Sequence, residues 1–469
     1  MEQVAQKKHQ KEVMMVKLRV LLFLFLVGCI VMLNIGAVEA NNGMENISYG
    51  AKSAGMGGTS IAVGDDTTVM NTNPAAISKV DNGRVDMNLE MMFPMFSFEN
   101  KDAMGSGTLN DTNGKHPIYL IPSAGFVYHK KDSPWSFGIG MFNEGGMGTD
   151  YGNLKVDNLF LEMLPPNSPN FSNIEYFSSF GYMKLTPTVS YKITDKISVG
   201  ISPQLGYAMM RMKMPFFMDQ SGNGLPDTLF AADMDGKAWS VSWKIGLLYN
   251  FYNMMGFGIS YTTPADIKLK GDAVMSAPIA EMGGMIPAQA RMEGDLNMKI
   301  GWPQSVKAGM FMRMKQLGGM LMAVDVEWLN WSHYYDSIPV KLTNVSMNGM
   351  PQPDQEFSMN TKWKDQWVYK VGFEYPATEN LKLRMGYAYG KNPVPSEGAL
   401  AIMNPFVEHH ITGGLGYEFN DNFEFNMAMV YGFNKDVKVR DAHNISPDMM
   451  NSKTGMEFVS MTMMVSYKW

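Results

Sequence analysis

One cysteine in 469 residues, Cys29, leaves neither a disulfide framework nor a multi-cysteine metal site to consider. Charge is scarce as well. Asp, Glu, Lys and Arg make up 18% of the chain, where a soluble globular protein carries about 25%. There is no basic excess: the formal net charge is −6 and the pI is near 5.7, so the chain has no electrostatic footprint for nucleic acid. Beyond the N-terminus no run of 18 or more apolar residues occurs, and the mean hydropathy is −0.15. That excludes a polytopic helical membrane protein, whose helices each need about 20 apolar residues. Abundant instead are glycine (46), methionine (47) and aromatic residues (12%). Low charge without apolar runs, combined with many glycines and aromatics, is the composition of a transmembrane β-barrel.

The N-terminus reads as an export signal. Lys7, Lys8, Lys11, Lys17 and Arg19 precede an apolar stretch from Val20 to about Leu33, and Val38-Glu39-Ala40 has the small-residue pattern of a signal-peptidase site. Cleavage after Ala40 is expected, with Met14 or Met15 as alternative initiators of the long basic region. Leu26-Val27-Gly28-Cys29 resembles a lipobox, yet Ile30, Val31, Met32 and Leu33 stay apolar where a lipoprotein signal turns polar. A chain without residues 1–40 holds no cysteine, which suits an oxidising compartment outside the inner membrane.

Period-two alternation runs through most of the remainder. Trp239, Val241, Trp243, Ile245, Leu247 and Tyr249 oppose Ser240, Ser242, Lys244, Gly246, Leu248 and Asn250; Phe423, Phe425, Met427, Met429, Tyr431 and Phe433 oppose Glu424, Asn426, Ala428, Val430, Gly432 and Asn434. Apolar faces ending in aromatics, opposite small or polar faces, describe strands with lipid on one side and a lumen on the other. A large soluble β-sandwich also buries one face, but strands of ten or more residues with Tyr and Trp at their ends match a bilayer and its interfaces better.

Strands are expected to begin near Arg84, Ile118, Trp135, Gly181, Ile197, Ala238, Met255, Leu296, Gly319, Trp367, Asn380, Glu408, Phe423 and Glu457. Long connections (Asn100 to Pro117, Glu144 to Phe180) alternate with tight ones such as Thr194-Asp195-Lys196 and Asn420-Asn422. Fourteen antiparallel strands with short turns on one side and long loops on the other describe an all-β, multi-pass outer-membrane barrel of a Gram-negative bacterium, with both chain ends in the periplasm. The barrel is expected over residues 84–469, its surroundings outer-membrane lipid and lipopolysaccharide. The C-terminal Trp469, closing an alternating strand, suits delivery by the outer-membrane assembly machinery, and a monomer is expected.

Residues 41–83 alternate little and are rich in Gly, Ala, Ser and Thr. Such a segment is a tail, an extra strand or a plug inside the lumen. Its motifs point to a family: Ser53-Ala54-Gly55-Met56-Gly57-Gly58-Thr59-Ser60, then Asp65-Asp66-Thr67-Thr68, then Asn73-Pro74-Ala75. In that order and spacing they resemble the hatch of the FadL/TodX-like outer-membrane channels. Leu185-Thr186-Pro187 to Ser198-Val199-Gly200, Phe257 to Tyr261 and Leu383 to Ala388 extend the similarity along the chain. The resemblance implies a fourteen-stranded barrel plugged by residues 41–83, and passive uptake of long-chain fatty acids or aromatic hydrocarbons. It also implies a kinked third strand that opens a lateral gap, for which the matching positions are Phe142, Asn143, Glu144, Gly145 and Gly146.

The residues themselves leave two readings of that stretch. Alternation stops after Met141, and the paired glycines suit a bulge or the start of an extracellular loop. The following segment is apolar, with Leu154, Val156, Leu159, Phe160, Leu161, Met163 and Leu164 ahead of Pro165-Pro166. Leu159, Phe160, Met163 and Leu164 are candidates for capturing a lipid-like ligand, or for packing between loops. Met210, Met212, Met214 and Met464 are lumen candidates, since methionine adapts to varied hydrophobes. Asp65-Asp66 reads as a solvated pair, so no metal or other cofactor is expected. No enzyme is expected either: no Gly-x-Ser-x-Gly motif accompanies the histidines. The alternative to a channel is a structural or adhesive barrel with a sealed lumen.

Overall fold

The computed structural model describes residues 42–115, 118–130, 132–160, 171–218, 228–252, 254–277, 291–403, 406–439 and 446–469. The expected signal peptide, residues 1–40, lies outside them. Fourteen antiparallel strands form the wall: β1 (Gly83–Lys101), β2 (Tyr119–His129), β3 (Trp135–Asp157), β4 (Phe171–Lys192), β5 (Ile197–Met218), β6 (Thr228–Phe251), β7 (Met255–Thr262), β8 (Ser305–Met314), β9 (Met320–Leu329), β10 (Gln366–Pro376), β11 (Leu381–Gly390), β12 (His409–Glu418), β13 (Phe423–Val439) and β14 (Ser452–Lys468). Each pairs with its neighbours in chain order, and β14 returns to β1 over the register Arg84↔Lys468 to Glu99↔Lys453. Closure leaves no open edge, which an apolar solvent requires. At the seam Trp469 N donates to Gly83 O at 3.1 Å, one step beyond that register.

The alternation sorts as the membrane demands. On β6, Trp239, Val241, Trp243, Ile245, Leu247 and Tyr249 are exposed to the outside, whereas Ser240, Ser242 and Lys244 are buried toward the lumen. Aromatic pairs mark both interfaces: Trp135 and Tyr191 (4.6 Å between ring centres) and Phe423 and Tyr467 (4.9 Å) near the tight turns, Tyr207 and Trp239 (4.8 Å) at the opposite end. The end with tight turns and both barrel termini is periplasmic in barrels of this kind.

Four expected boundaries move. The strand placed near Leu296 is two: Arg291–Trp302 stands above the barrel and β8 starts at Ser305. Pro303 divides them, because it has no N–H to give a ladder. The count survives because β8 takes the place of the strand drawn from Leu296. Glu144 to Phe180 is not one loop: β3 runs on to Asp157 and β4 already begins at Phe171, as a hairpin projecting beyond the membrane. Its inward residues mix Ser172, Ile174, Tyr176 and Ser178, all buried, so no simple apolar face advertises it. Likewise β6 starts at Thr228 rather than Ala238, and the loop after β1 holds a strand, Thr108–Asn113, that pairs back onto β1.

A rim sheet continues the wall on the extracellular side. Its strand Ala265–Ser276 pairs with the upper part of β6 and with Arg291–Trp302, which pairs with Ile338–Met347, which pairs with Gln355–Met359. Ile267, Leu269, Met275, Leu296, Met298 and Ile300 on its inner face are buried in a large apolar core that fills the upper lumen, with Trp302, Trp331, Tyr335 and Trp363 at its centre.

Residues 42–82 lie inside the barrel. They contain one short helix, α1 (Gly50–Gly55), and two 3₁₀ turns, Thr67–Asn71 and Pro74–Lys79. Hydrogen bonds tie this segment to strands around the whole circumference: Thr67 N to Asp86 Oδ2 (2.7 Å) on β1, Asn46 N to Glu144 O (3.2 Å) on β3, Asn73 Nδ2 to Leu247 O (3.1 Å) on β6, Ser60 N to Asp325 Oδ2 (2.7 Å) on β9, Lys370 Nζ to Ile47 O (2.9 Å) on β10 and Gly57 N to Thr412 Oγ1 (2.9 Å) on β12. The wall is smoothed to receive it. A Cβ on Gly246 would sit 2.0 Å from Asn73 Oδ1, and one on Gly200 would sit 2.4 Å from Ala75 N. A Gly246→Val chain is therefore expected to assemble its barrel but lose about 1–3 kcal/mol at this seat through overpacking. Faster proteolysis of residues 60–80 with unchanged heat-modifiable mobility would be the readout; wild-type resistance would refute it.

Candidate functional site

The geometry converges on a bulge in β3. The β3–β4 register passes from Asn143↔Met183 directly to Gly145↔Tyr182, so Glu144 is the extra residue. Gly145 has φ +155°, which residues with side chains rarely adopt, and a Cβ there would lie 1.9 Å from Met44 O. The β2–β3 register ends at Ala124↔Met141, just before the bulge. Above it, at the far side, Lys115 N donates to Asp150 O at 2.7 Å. Between these points the N-terminal segment is the bulge's inner partner: Gly146 N donates to Met44 O (3.0 Å), Asn46 Nδ2 to Asn143 O (3.1 Å) and Tyr49 Oη to Glu144 O (3.2 Å). Phe142, Asn143 and Glu144 are all buried. The strand thus bulges here and does not yet become a loop.

The bulge also turns the Glu144 carboxylate into the lumen, where it accepts from Lys184 Nζ at 2.9 Å and from Asn71 Nδ2 at 2.7 Å. Lys184 lies 5.3 Å from the Tyr182 ring centre and 6.0 Å from that of Trp302, near enough for cation–π attraction. A second buried cluster adjoins. Glu45, from the N-terminal segment, accepts from Lys307 on β8, and Lys370 on β10 donates to Glu327 Oε1 on β9 at 2.7 Å. Glu327 also faces Lys307 at 3.5 Å. Lys244 donates to the Asn71 backbone oxygen and, among the described residues, has no carboxylate at ion-pair distance. It is a buried lysine with no acid of its own.

An apolar pocket meets the same point. Met44, Met147, Phe180, Met210, Met212 and Met298 are among the residues around a cavity of about 40 Å³, room for about one water-sized group. The space is filled by methionine side chains, which can swing aside for a larger guest. Below the N-terminal segment a wider, polar vestibule of about 450 Å³ opens among Lys52, Asp65, Lys196 and Arg313.

Known proteins resolve what kind of barrel this is. The family model for outer membrane protein transport proteins (OMPP1/FadL/TodX) matches residues 42–468. The chain belongs to that family. Among curated FadL/TodX relatives, the long-chain fatty acid transport protein of Escherichia coli K12 is 19% identical over 408 residues, covering 81% of this chain and 85% of its own. That of Salmonella typhi is 20% identical over 407 residues, covering 81% and 84%. Among solved structures, the toluene transporter TodX of Pseudomonas putida superposes with a TM-score of 0.68 at 21% identity, covering 90% of this chain and 99% of its own. A FadL homologue from Pseudomonas aeruginosa gives a TM-score of 0.69 at 14% identity, covering 91% and 99%. At such identities the superpositions speak for the fold.

Within this FadL/TodX-family barrel the expected residues fall as follows. Asn73, Pro74 and Ala75 are fully buried in the lumen; Asn73 Oδ1 caps the turn by accepting from Ala75 N at 3.2 Å. Gly57 and Gly58 form the close crossing of the segment against β10 and β11, and Gly58 has φ +86° with Ile47 O where a Cβ would go. Asp65 pairs with Lys52 at 3.0 Å, while Asp66 caps Thr67–Asn71 by accepting from Thr68 N at 2.9 Å. Burial, and then the neighbouring Asp86 carboxylate, push the Asp66 acid above the usual carboxylate range. Met212 and Met464 are buried and Met210 packs against the core. Leu159 is half exposed beside β3's end, whereas Leu154 and Val156 are buried strand residues and belong to no open patch. Phe160 ends a 3₁₀ turn, Asn158–Phe160; its side chain, and Leu161, Met163 and Leu164 entirely, lie outside the described residues.

The lysines were not singled out from sequence. The signal existed for one of them: Lys244 interrupts a lumen-facing row of Ser240, Ser242 and Gly246, where a charge has no reason to be unless the interior uses it.

Proposed function

We propose that this chain is a passive outer-membrane channel for hydrophobic compounds, with long-chain monocarboxylates as the favoured class. The observation that carries this reading is the meeting of three features at Met44: the apolar pocket, the N-terminal segment and the β3 bulge. A ligand is captured at the extracellular hairpins, with Leu159 and the residues up to Leu164 as the candidate patch. Its tail then enters the pocket by displacing methionines. Each methylene removed from water contributes roughly 0.8 kcal/mol, so no energy source is needed. The N-terminal segment acts as a movable hatch: releasing Met44 and Asn46 from the bulge frees a path between β2 and β3 into the bilayer. The family's named substrates in Escherichia coli and Pseudomonas putida, long-chain fatty acid and toluene, span both chemistries. The choice of a carboxylate rests on Lys244, a lysine buried in the lumen with no carboxylate at ion-pair distance among the described residues.

The test is lipid extraction from the purified protein followed by mass spectrometry, paired with uptake of a labelled C16 fatty acid and of toluene by cells that carry or lack the gene. Co-purified fatty acid and gene-dependent uptake of the acid are expected. Gene-dependent uptake of toluene alone would reverse the substrate choice. Normal growth on every hydrophobic carbon source with lost attachment would favour an adhesive barrel.

A further inference from the structure

We propose that the outward face of the rim sheet binds the phosphate groups of outer-leaflet glycolipid. The sheet register sets lysines beside lysines. Lys237 on β6 is directly opposite Lys270, and Lys268 is directly opposite Lys299. Lys341 lies opposite Asn297, one strand further on and level with Lys270. All five side chains are exposed on the face away from the apolar core.

Like charges directly opposite each other destabilise a sheet unless an anion sits between them. The face supplies few anions at this height. Lys299 has Asp266 at 3.6 Å, but that carboxylate also accepts from Tyr334 Oη at 2.8 Å. Lys341 has Asp354 at 3.6 Å and is opposite Glu356. Lys237, Lys268 and Lys270 have no carboxylate at ion-pair distance among the described residues. Higher up the face carries Asp235, Asp272 and Asp295, with Asp272 directly opposite Asp295, together with Asp233 and Glu293, which are paired with Arg211 and Arg291. The five lysines outnumber the three acids beside or below them, Asp266, Asp354 and Glu356.

That height selects the partner. Lys237, opposite Lys270 in the rim sheet, lies two residues along β6 from the exposed, lipid-facing Trp239. At about 3.3 Å per residue, Lys237 and Lys270 stand roughly 7 Å beyond that tryptophan, in the headgroup zone rather than in hydrocarbon or bulk water. A lysine row continuous with an aromatic girdle fits a lipid whose acyl chains cover the apolar wall and whose phosphates reach the ammonium groups. The glycolipid of the Gram-negative outer leaflet has that chemistry.

The experiment uses the full chain in mild detergent and native mass spectrometry, with bis-phosphorylated lipid A and its dephosphorylated form as probes. The wild type is expected to retain the phosphorylated lipid preferentially. Replacing Lys237, Lys268 and Lys270 together by Gln should weaken retention by about a hundredfold, at roughly fivefold per lysine. The triple Arg replacement should keep it, and so should Lys192, Lys196 and Lys315 replaced by Gln at the periplasmic end. Heat-modifiable mobility reports that each barrel is closed. Equal retention of both lipids by the wild type, or undiminished retention by a closed triple Gln barrel, would overturn the proposal, and neither result depends on what the lumen transports.

Discussion

Replacing Gly145 by Ile is expected to slow uptake of a labelled hydrophobic ligand at least tenfold while leaving the barrel closed. Two costs coincide at this position. The backbone sits at φ +155°, where a residue with a side chain is strained by about 1–3 kcal/mol. The new Cβ would also meet Met44 O, which lies 1.9 Å from its ideal position. A branched side chain there fills the inner mouth of the bulge and removes the path between β2 and β3. Since β3 is bonded to β4 over more than twenty residues on its other side, the strand itself has no reason to leave the wall. Gly145→Ala shares the strain and the Cβ contact with Met44 O but lacks the branch that fills the mouth: if those two costs alone slowed uptake, both variants would slow equally. Wild-type rates in a closed Gly145→Ile barrel would eliminate the lateral route.

The second large effect concerns the anchor of the N-terminal segment. Glu45 and Lys307 form a fully buried ion pair one residue away from Met44. Removing Lys307 strands the Glu45 carboxylate in the interior, at a cost of about 3–5 kcal/mol, whereas removing Glu45 leaves Lys307 with Glu327 at 3.5 Å. In Lys307→Met, amide exchange of residues 44–49 is therefore expected to rise by roughly a hundredfold or more, since each 1.4 kcal/mol is a factor of ten. Glu45→Gln should raise it less, because Lys307 keeps Glu327 as a partner. The double variant Glu45→Gln/Lys307→Met should recover much of the protection, because no unpaired charge remains. Unchanged exchange in both single variants would mean that Glu45 does not hold the segment in place.

Much of the barrel was legible because lipid imposes a strict rule on every spanning strand: apolar out, small or polar in. Most spanning residues of β6, β11, β13 and β14 obey it, with Leu248 and Met464, buried on the inner face, as exceptions. Legibility failed where the rule lapses. The hairpin of β3 and β4 above the membrane faces protein on its inner side, so Ser172 and Ser178 alternate with Ile174 and Tyr176 and no stripe appears. Arg291–Trp302 alternates as well as any spanning strand, yet it stands in the rim sheet; only Pro303 hinted at the break. Of the candidate site, the paired glycines of the bulge could be picked out by chemistry, and the Asn73-Pro74-Ala75 turn by its resemblance to the family's hatch. The Lys184, Lys244 and Lys307 side chains could not be assembled, because they come from β4, β6 and β8 and meet only when the wall curves around.

Sequence by itself determined that this is a closed outer-membrane barrel with an unusual N-terminal segment, since solvent contact on one face of each strand writes itself into local alternation. Tertiary structure alone decided that the segment fills the lumen, that it presses Met44 against Gly145, and that Glu45 meets Lys307. Those contacts join positions from 100 to more than 250 residues apart, and no local pattern records which inward side chains a curved wall will bring face to face.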